Sequence, residues 1–552
     1  MKTATATEDI SVSLEELHWW QTGVIYQVYP RSFYDSNDDG SGDLQGIIQK
    51  LPYLKWLGVT AIWISPVYPS PMKDFGYDIT DYTGIDPLFG SPEDMTILID
   101  RIHDLKMKVI LDLVPNHSSD LHPWFLESRA SRQNPKRNWY IWKDGDENED
   151  PPNNWLSVFG GSAWQWDAVT GQYYYHAFLK EQPDLNWRNE EVLVAMLGVM
   201  RFWLDKGVDG FRIDVMWHLI KDKQFRNNPP NPHYDRSMAD YEQLLPLYST
   251  DQPEVHGIVE TIRHLLDQYQ GRMMIGEIYL PVRQLVTYYG KNNNGAHLPF
   301  NFLLLSLSWD SLQIAAAIDE YEAALPPDAW PNWVIGNHDK GRITGRVGFE
   351  QSRIAAVLLL TLRGTPTIYY GDEIAMRDVP VPSSEIQDPQ GLLMPEKHLS
   401  RDPERSPMQW DDTENAGFTK GKPWLRLDKS YRRRCVQVEQ RDPYSMLSLY
   451  ARLIQLRGEE PSLTRGHYIR VHADHQTFIY KRQAQGYDGF LIALNFSHRP
   501  SYYQGSARDI AGIVEFSVDC ELDGSLIEDQ INLDGDQGII VRLARPGVIH
   551  KQ

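Results

Sequence analysis

The sequence predicts an α/β fold: a (β/α)8 TIM barrel with a domain inserted after its third strand and an antiparallel β domain at its C-terminal end. Three observations lead there. Eight short apolar runs of strand length are separated by amphipathic stretches of helical period, the pattern of parallel βα units. Acidic and polar residues gather at the ends of four of these runs, where such a barrel builds its active site. The length of 552 residues exceeds one ordinary domain and leaves chain for two smaller units.

The apolar runs are, in order, Val24 to Tyr29, Ala61 to Ser65, Val109 to Val114, Gly210 to Asp214, Met273 to Glu277, Leu298 to Phe302, Trp333 to Asn337 and Thr367 to Tyr370. Helical periods fall between them at Ile47 to Leu57, Pro92 to Lys106, Glu190 to Lys206, Gln252 to Tyr269 and Gln351 to Thr361. The stretch Asn116 to Trp187 is too long for one crossover helix and is rich in Trp, Tyr, Asn, Pro and Gly, so it is expected to form a small lid domain. A second irregular stretch, Ile374 to Tyr444, follows the eighth run and belongs over the same end of the barrel. Beyond a helix around Ser445 to Gly458, apolar and polar residues alternate in Thr477 to Tyr480, Gly489 to Ala493 and Gly538 to Leu543, as in antiparallel strands. The expected boundaries are 1–115 with 188–462 for the barrel, 116–187 for the lid and 463–552 for a C-terminal β-sandwich.

Composition removes several function classes. A formal charge of −21 repels phosphate backbones, which argues against nucleic acid as a partner and suits a neutral small molecule. No unbroken apolar run approaches about 18 residues, so no membrane span is expected. The opening MKTATATEDISVSLEE lacks the charged start, apolar stretch and small-residue cleavage pattern of a signal peptide. A cytoplasmic protein, monomer or weak homo-oligomer, is expected. Two cysteines, Cys435 and Cys520, are too few for a disulfide framework and read as inert buried thiols. The 18 tryptophans and 29 tyrosines suit sugar stacking, but composition alone favours ordinary packing.

The strand ends carry the chemistry. Asp112, Asn116 and His117 close the third run in DLVPNH, Arg212 and Asp214 the fourth in GFRID, Glu277 the fifth in GEIY, and His338 and Asp339 the seventh in GNHD. One such Asp is more often a cap or turn residue. Four strand ends together point to a site.

These four motifs, in this order, resemble the α-amylase family, glycoside hydrolase family 13. The likeness runs from about Trp20 into the C-terminal domain and includes VIYQVYPRSF and GTPTIYYGDE. The segment QPDLN, Gln182 to Asn186, resembles the signature of the oligo-1,6-glucosidase and α-glucosidase subgroup. The resemblance implies a retaining, exo-acting α-glucosidase that releases terminal α-linked glucose from a small-molecule α-glucoside. Sucrose or trehalose hydrolysis and glucosyl transfer are the alternatives within the family. Barrel ectodomains that escort amino-acid transporters are a non-enzymatic alternative, but they predict a transmembrane helix and eroded carboxylates, and neither is present.

By the same resemblance Asp214 is the nucleophile, Glu277 the general acid and base, and Asp339 the carboxylate that binds the sugar's 2- and 3-hydroxyls. A retaining mechanism needs two carboxyls about 5 to 5.5 Å apart, one ionised and one protonated. Arg212, on the same strand face as Asp214, is expected to hold it ionised. Glu277 has no basic neighbour in sequence, which permits a raised pKa. His117 and His338 are expected to bond sugar hydroxyls, Asp74 and Tyr77 of DFGY to bind and stack the terminal glucose, and Arg401 or alternatively Arg405 to pair with Asp74. Val215, after the nucleophile, hints at α-1,6 cleavage. Trp217 and His218 either line the acceptor subsite or pack behind it.

The loop DSNDDGSGD alternates oxygen ligands at Asp35, Asn37, Asp39 and Asp43, with a backbone carbonyl at Ser41, which suits a hard cation. It is not an EF-hand, because the twelfth position is Gly46. Similar loops in the resembled subgroup bind Ca2+ or Mg2+, so a structural metal is expected. No organic cofactor is.

Overall fold

A computed structural model describes residues 17–148 and 150–544. The opening segment read as lacking a signal peptide lies outside these residues, as does the end of the C-terminal domain.

The eight predicted runs form eight parallel strands: β1 Ile25–Val28, β2 Ala61–Ile64, β3 Lys108–Leu113, β4 Gly210–Ile213, β5 Met273–Gly276, β6 Leu298–Pro299, β7 Asn332–Val334 and β8 Thr365–Tyr369. Their order is β7-β8-β1-β2-β3-β4-β5-β6, so only β6 and β7 remain to close the barrel. Both are shorter than their predicted runs. Proline explains the gap: Pro299 has no N–H to offer a neighbour, and Pro331 stands at the entrance of β7. The Asn332 side chain bridges it instead, accepting the Asn301 N–H at 2.9 Å and donating to Pro299 O at 2.5 Å. The strands are apolar on both faces because helices cover them outside and side chains fill them inside.

The crossover helices start and stop on local signals. Asp43 caps Leu44–Leu57 by accepting the Gly46 N–H, and Gly58 ends it at φ 93°, a conformation open to glycine. Ser91 caps Pro92–Asp104 and Asn189 caps Glu190–Asp205. Val255–Leu266 and Phe349–Thr361 also fall within or beside predicted stretches. The longest helix outside the predicted stretches is Ser311–Ala324, between β6 and β7; Asp310 caps it through the Gln313 N–H.

Within 116–187 a three-stranded antiparallel sheet, Trp142–Lys143, Trp164–Asp167 and Gln172–Tyr175, sits over the end of β3. Its aromatic wealth serves packing: Trp155, Trp164 and Tyr175 form a cluster of their own. The C-terminal region is a six-stranded sheet beside a two-stranded one, Ser501–Gln504 with Gln530–Leu533. Arg482 joins it to the barrel and Arg457, on the barrel's last helix Met446–Glu459, supports the same spot; both are fully buried. Arg457 donates to the carbonyls of Leu360, Leu362 and Gly364, and Arg482 to those of Thr361 and Gly466. They cap the C-terminal end of Phe349–Thr361, where the helix dipole welcomes positive charge. Cys435 is buried as expected, but Cys520 is partly exposed and takes a hydrogen bond from Arg452.

Candidate active site

The predicted strand-end residues meet at one end of the barrel, around a cavity of about 700 Å3 lined by Asp74, Tyr77, His117, Asp214, Glu277, His338, Asp339 and Arg401 among others. That size suits a small molecule.

Arg212 is its organising charge. Register places it directly opposite Asp112 on β3 and Ile275 on β5. From there its guanidinium reaches Asp112 at 2.8 Å, Asp214 at 2.7 Å and Glu277 at 2.7 Å. Trp63 lies against it at 5.1 Å and donates its indole N–H to Asp112. Glu277, without a basic neighbour in sequence, takes Arg212 from the adjacent strand β4, while the expectation that Arg212 holds Asp214 ionised is corrected: burial outweighs it. One positive charge therefore serves three buried carboxyls. Burial pushes the carboxyls of Asp214 and Glu277 up, Arg212 opposing it in both cases. It lifts Asp112 to about 6, with Arg212 again opposing. Asp214 and Glu277 are buried on one shared guanidinium, so they titrate as a pair whose hold on a proton is strengthened.

The turn after β4 is strained. Val215 adopts φ 39°, ψ 47°, a left-handed conformation that β-branched residues avoid. The turn directs the Val215 N–H at Glu277 Oε2, 2.8 Å away, and the Met216 N–H at the Glu277 carbonyl, 3.1 Å away.

Asp339 has the opposite environment. Arg401 and Arg405 donate to it at 3.2 and 3.0 Å, and His338 lies 3.3 Å away. Burial would raise its carboxyl, but His338 once protonated in acid, with Arg401, Arg405 and Arg212, outweighs that and holds it well below the usual carboxylate range. Its side chain keeps 23% exposure, open to the cavity. His338 is neutral, pushed down to about 3 by burial. Its Nδ1 accepts from Gln27 Nε2 at 2.8 Å, which assigns the proton to Nε2, 2.7 Å from the Tyr77 hydroxyl. Tyr77 donates in turn to Asp112.

At the closed end Arg401, not Arg405, pairs with Asp74, at 2.6 Å. Arg401 also binds Asp388 at 2.7 Å and lies over the Phe159 ring at 4.9 Å. Arg405 holds Asp339 and the His338 carbonyl. Tyr77 stacks face to face on His338, planes within 7°. His117 lines the cavity, neutral because burial lowers it to about 4. Gln182 of QPDLN donates to Asp74 and to the Tyr77 carbonyl, and Asp184 accepts from Asn116 and Lys221. Gln27, Asp388 and Lys221 escaped sequence reasoning. Gln27 carries no motif, and Asp388 lies in a stretch without period.

The acidic loop stands apart, against residues 418–424: Asp35 N–H donates to Phe418 O and Trp424 N–H to Gly40 O. Its donors are all hard oxygens, as calcium or magnesium requires. Asp35 accepts the amides of Asn37, Asp38 and Gly40, Asn37 that of Asp39, Asp39 that of Ser41, and Asp43 those of Ser36 and Gly46. Among the described residues no three His, Cys, Asp or Glu side chains converge at metal distance. A cation here would depend on the Asn37 amide and Ser41 carbonyl oxygens beside the carboxylates.

No helix among the described residues is long and apolar enough to cross a membrane. The probable α-glucosidase of Rhizobium meliloti (strain 1021) is 40% identical over 479 residues, covering 84% of this chain and 87% of that protein. The oligo-1,6-glucosidase of Parageobacillus thermoglucosidasius is 37% identical over 524 residues, 88% of this chain and 92% of that one. The crystal structure of the α-glucosyl transfer enzyme XgtA superposes with a TM-score of 0.89 at 39% identity, covering 96% of this chain and 100% of that one. The α-amylase catalytic-domain model matches residues 27–466, and the chain belongs to the α-amylase family.

Proposed function

We propose that this chain is a retaining, exo-acting α-glucosidase, releasing terminal α-linked glucose from short oligosaccharides, α-1,4, α-1,6 or both, by double displacement. The observation that carries this reading is the Arg212 guanidinium, with Asp214 on one terminal nitrogen and Glu277 on the other, each at 2.7 Å. Sharing one guanidinium keeps the two carboxyls near each other, which supports the separation of about 5–5.5 Å at which retention works over the roughly 6.5–9.5 Å of an inverting enzyme.

Electrostatics divides the roles. Asp339, under its arginines, is a fixed anion and is unsuited to give a proton. The Asp214–Glu277 pair keeps one. As the glycosidic oxygen enters beside Glu277, that acid protonates it, an Asp214 oxygen bonds to C1, and the C1–O bond breaks. Water then gives a proton to Glu277 and attacks C1, freeing Asp214. Asp339 binds the ring hydroxyls most tightly as positive charge develops. The Asp74–Arg401 pair against Phe159 supports a pocket closed behind one glucose, hence exo action. Proton NMR of the first-formed glucose tests the mechanism: α-glucose is expected, and β-glucose refutes retention.

The acidic loop Asp35–Asp43 is proposed to hold a calcium or magnesium ion with a structural role, supported by its all-oxygen donor set. The free thiols support a reducing compartment, the cytoplasm, as the site of action. Localisation of a tagged full chain checks this.

A further inference from the structure

One fully buried polar side chain behind the sugar site has no part in the steps above. Gln27 lies on β1, where strand alternation turns Tyr26 and Val28 out among the helices and Ile25 and Gln27 into the barrel. Opposite it on β2 is Trp63. Its neighbours in this interior, Ile25 and Trp63 among them, are apolar, so the amide stands out and its hydrogen bonds have to account for it. The NH2 group gives one bond to His338 Nδ1 at 2.8 Å and one to Ser65 Oγ at 3.3 Å. Gln27 Oε1 has no hydrogen-bond partner among the described residues.

The far side of the imidazole fixes the polarity. His338 Nε2 lies 2.7 Å from the Tyr77 hydroxyl and 3.3 Å from Asp339 Oδ2, and the Tyr77 hydroxyl lies 3.1 Å from Asp112 Oδ2. Carboxylates only accept, so Tyr77 spends its one proton on Asp112, and Nε2 carries the proton that faces Tyr77 and Asp339. Nδ1 is then an acceptor, and a donor has to meet it. Gln27 supplies that donor with its own carbonyl unpaired; turned over, the amide would satisfy Oε1 on His338 only by drawing the proton to Nδ1. Hydrogen bonds therefore run one way, from Gln27 to His338 to Tyr77 to Asp112, and end on the carboxyl that shares Arg212 with Asp214 and Glu277.

Resting on the α-glucosidase reading above, we infer that Gln27 is a positioning residue that locks His338 in the tautomer donating through Nε2. The lock aims a donor at the Asp339 end of the sugar site and keeps Tyr77 donating to Asp112. With the other tautomer a nitrogen lone pair would face the Asp339 carboxylate, and the Tyr77 proton would turn from Asp112 to Nε2. Gln27 acts through His338, which lines the cavity.

The test reverses the polarity at nearly fixed size. The charged and titratable groups around His338 are Asp339, Tyr77, Tyr29, Arg405, Arg401 and Arg212, and Gln27→Glu adds a carboxyl on the Nδ1 side. While that carboxyl and His338 share an extra proton, Nε2 still donates. Once the extra proton leaves, the remaining one stays on Nδ1 against the carboxylate, and Nε2 turns acceptor. The ratio of Gln27→Glu to wild-type kcat/KM on maltose should therefore fall by about 10²-fold as pH rises from about 5 to 8, the worth of one aimed donor. Gln27→Met fills the space without a donor, and its ratio should not change with pH. Ring 15N shifts of His338 in the histidine-labelled full chain, identified by their loss in His338→Asn, read the tautomer directly. They should show the proton on Nε2 in wild type, on Nδ1 in Gln27→Glu at the top of the range, and a mixture in Gln27→Met, which carries the test if Gln27→Glu does not fold. A wild-type proton on Nδ1, an unmixed Nε2 proton in folded Gln27→Met, or parallel pH profiles for folded Gln27→Glu and wild type overturns the lock while leaving maltose hydrolysis intact. No glucose release by wild type from maltose or isomaltose overturns the α-glucosidase reading instead, and the 15N shifts still decide the lock.

Discussion

Replacing Arg401 with alanine isolates what closes the pocket. Arg401 joins three carboxylates: Asp74 at 2.6 Å, Asp388 at 2.7 Å and Asp339 at 3.2 Å. Without it Asp74 keeps only the Gln182 amide, at 3.1 Å, and Asp388 keeps the Gly391 N–H and the Arg401 N–H, each at 3.2 Å, with Arg405 no nearer than 3.9 Å. Burial already raises Asp74 and Arg401 is the largest force opposing it, so in R401A that carboxyl takes up a proton. The neutral acid gives up charge-assisted hydrogen bonds to the terminal glucose, worth about 1.5–3 kcal/mol each. Two such bonds correspond to about 3–4 kcal/mol after relaxation, or about 10²–10³ in kcat/KM at 1.36 kcal/mol per decade. Steady-state kinetics on maltose and maltoheptaose measure this, and the ratio of the two should move toward the longer substrate as the closed end opens. R401K should recover about a decade at most, because an ammonium cannot present a fork to three carboxylates. An R401A enzyme within about threefold of wild type on maltose, with an unchanged ratio, would refute the role given to this arginine.

Other expectations follow from the same geometry. Asp214→Asn and Glu277→Gln should each lower kcat by at least about 10³-fold without unfolding the protein, checked by circular dichroism beside kinetics. Asp339 has a depressed folded pKa, so its stabilisation is complete above its unfolded value of about 3.9 and drains only as pH falls below it. Asp339→Asn should accordingly lose Tm less steeply than wild type between about pH 4 and pH 2, and parallel curves would contradict the assignment. Calcium at about 100 times its Kd should stabilise the fold by about 2.7 kcal/mol, and an unchanged Tm after chelation and refilling would remove the proposed loop metal. Arg482→Leu leaves the Gly466 and Thr361 carbonyls unmatched, at about 1–3 kcal/mol each. Limited proteolysis should then cut first between the barrel and the C-terminal sheet.

The barrel was legible because buried parallel strands are apolar on both faces and so stand out as unbroken runs. Their ends were less so at β6 and β7, where Pro299 and Pro331 break the ladder and one side chain, Asn332, substitutes for strand pairing. Asp214, Glu277 and Asp339 were legible as acids at strand ends, but their electrostatics was not. Sequence separation hid that Arg212 faces Glu277 as closely as Asp214, a consequence of register between β4 and β5. It likewise hid Asp388, which shares Arg401 with Asp74 from a stretch without periodicity. Tyr77, read as a sugar-stacking ring, lines the cavity, and nothing in the sequence signalled that it also packs on His338 and donates to Asp112.

The charge imbalance of the site has its own logic. Six carboxyls, Asp74, Asp112, Asp214, Glu277, Asp339 and Asp388, face three guanidiniums, Arg212, Arg401 and Arg405. The cations are unevenly shared. Two of them serve Asp74, Asp339 and Asp388, which in the proposed mechanism face the neutral hydroxyls, and one serves Asp112, Asp214 and Glu277 around C1. The negative surplus is therefore concentrated where a flattening glucosyl ring becomes cationic. A neutral ground-state sugar gains little from that surplus, whereas an oxocarbenium-like ring gains much, and interactions of this differential kind are the ones that accelerate bond cleavage. In the proposed mechanism the same surplus strengthens the hold of the Asp214–Glu277 pair on the proton that the glycosidic oxygen takes. On this view Arg212 is tuned by being insufficient. Neutralising Asp112 should relieve the surplus, lower the proton affinity of the pair and slow the chemical step, although Asp112 itself makes no bond to the sugar.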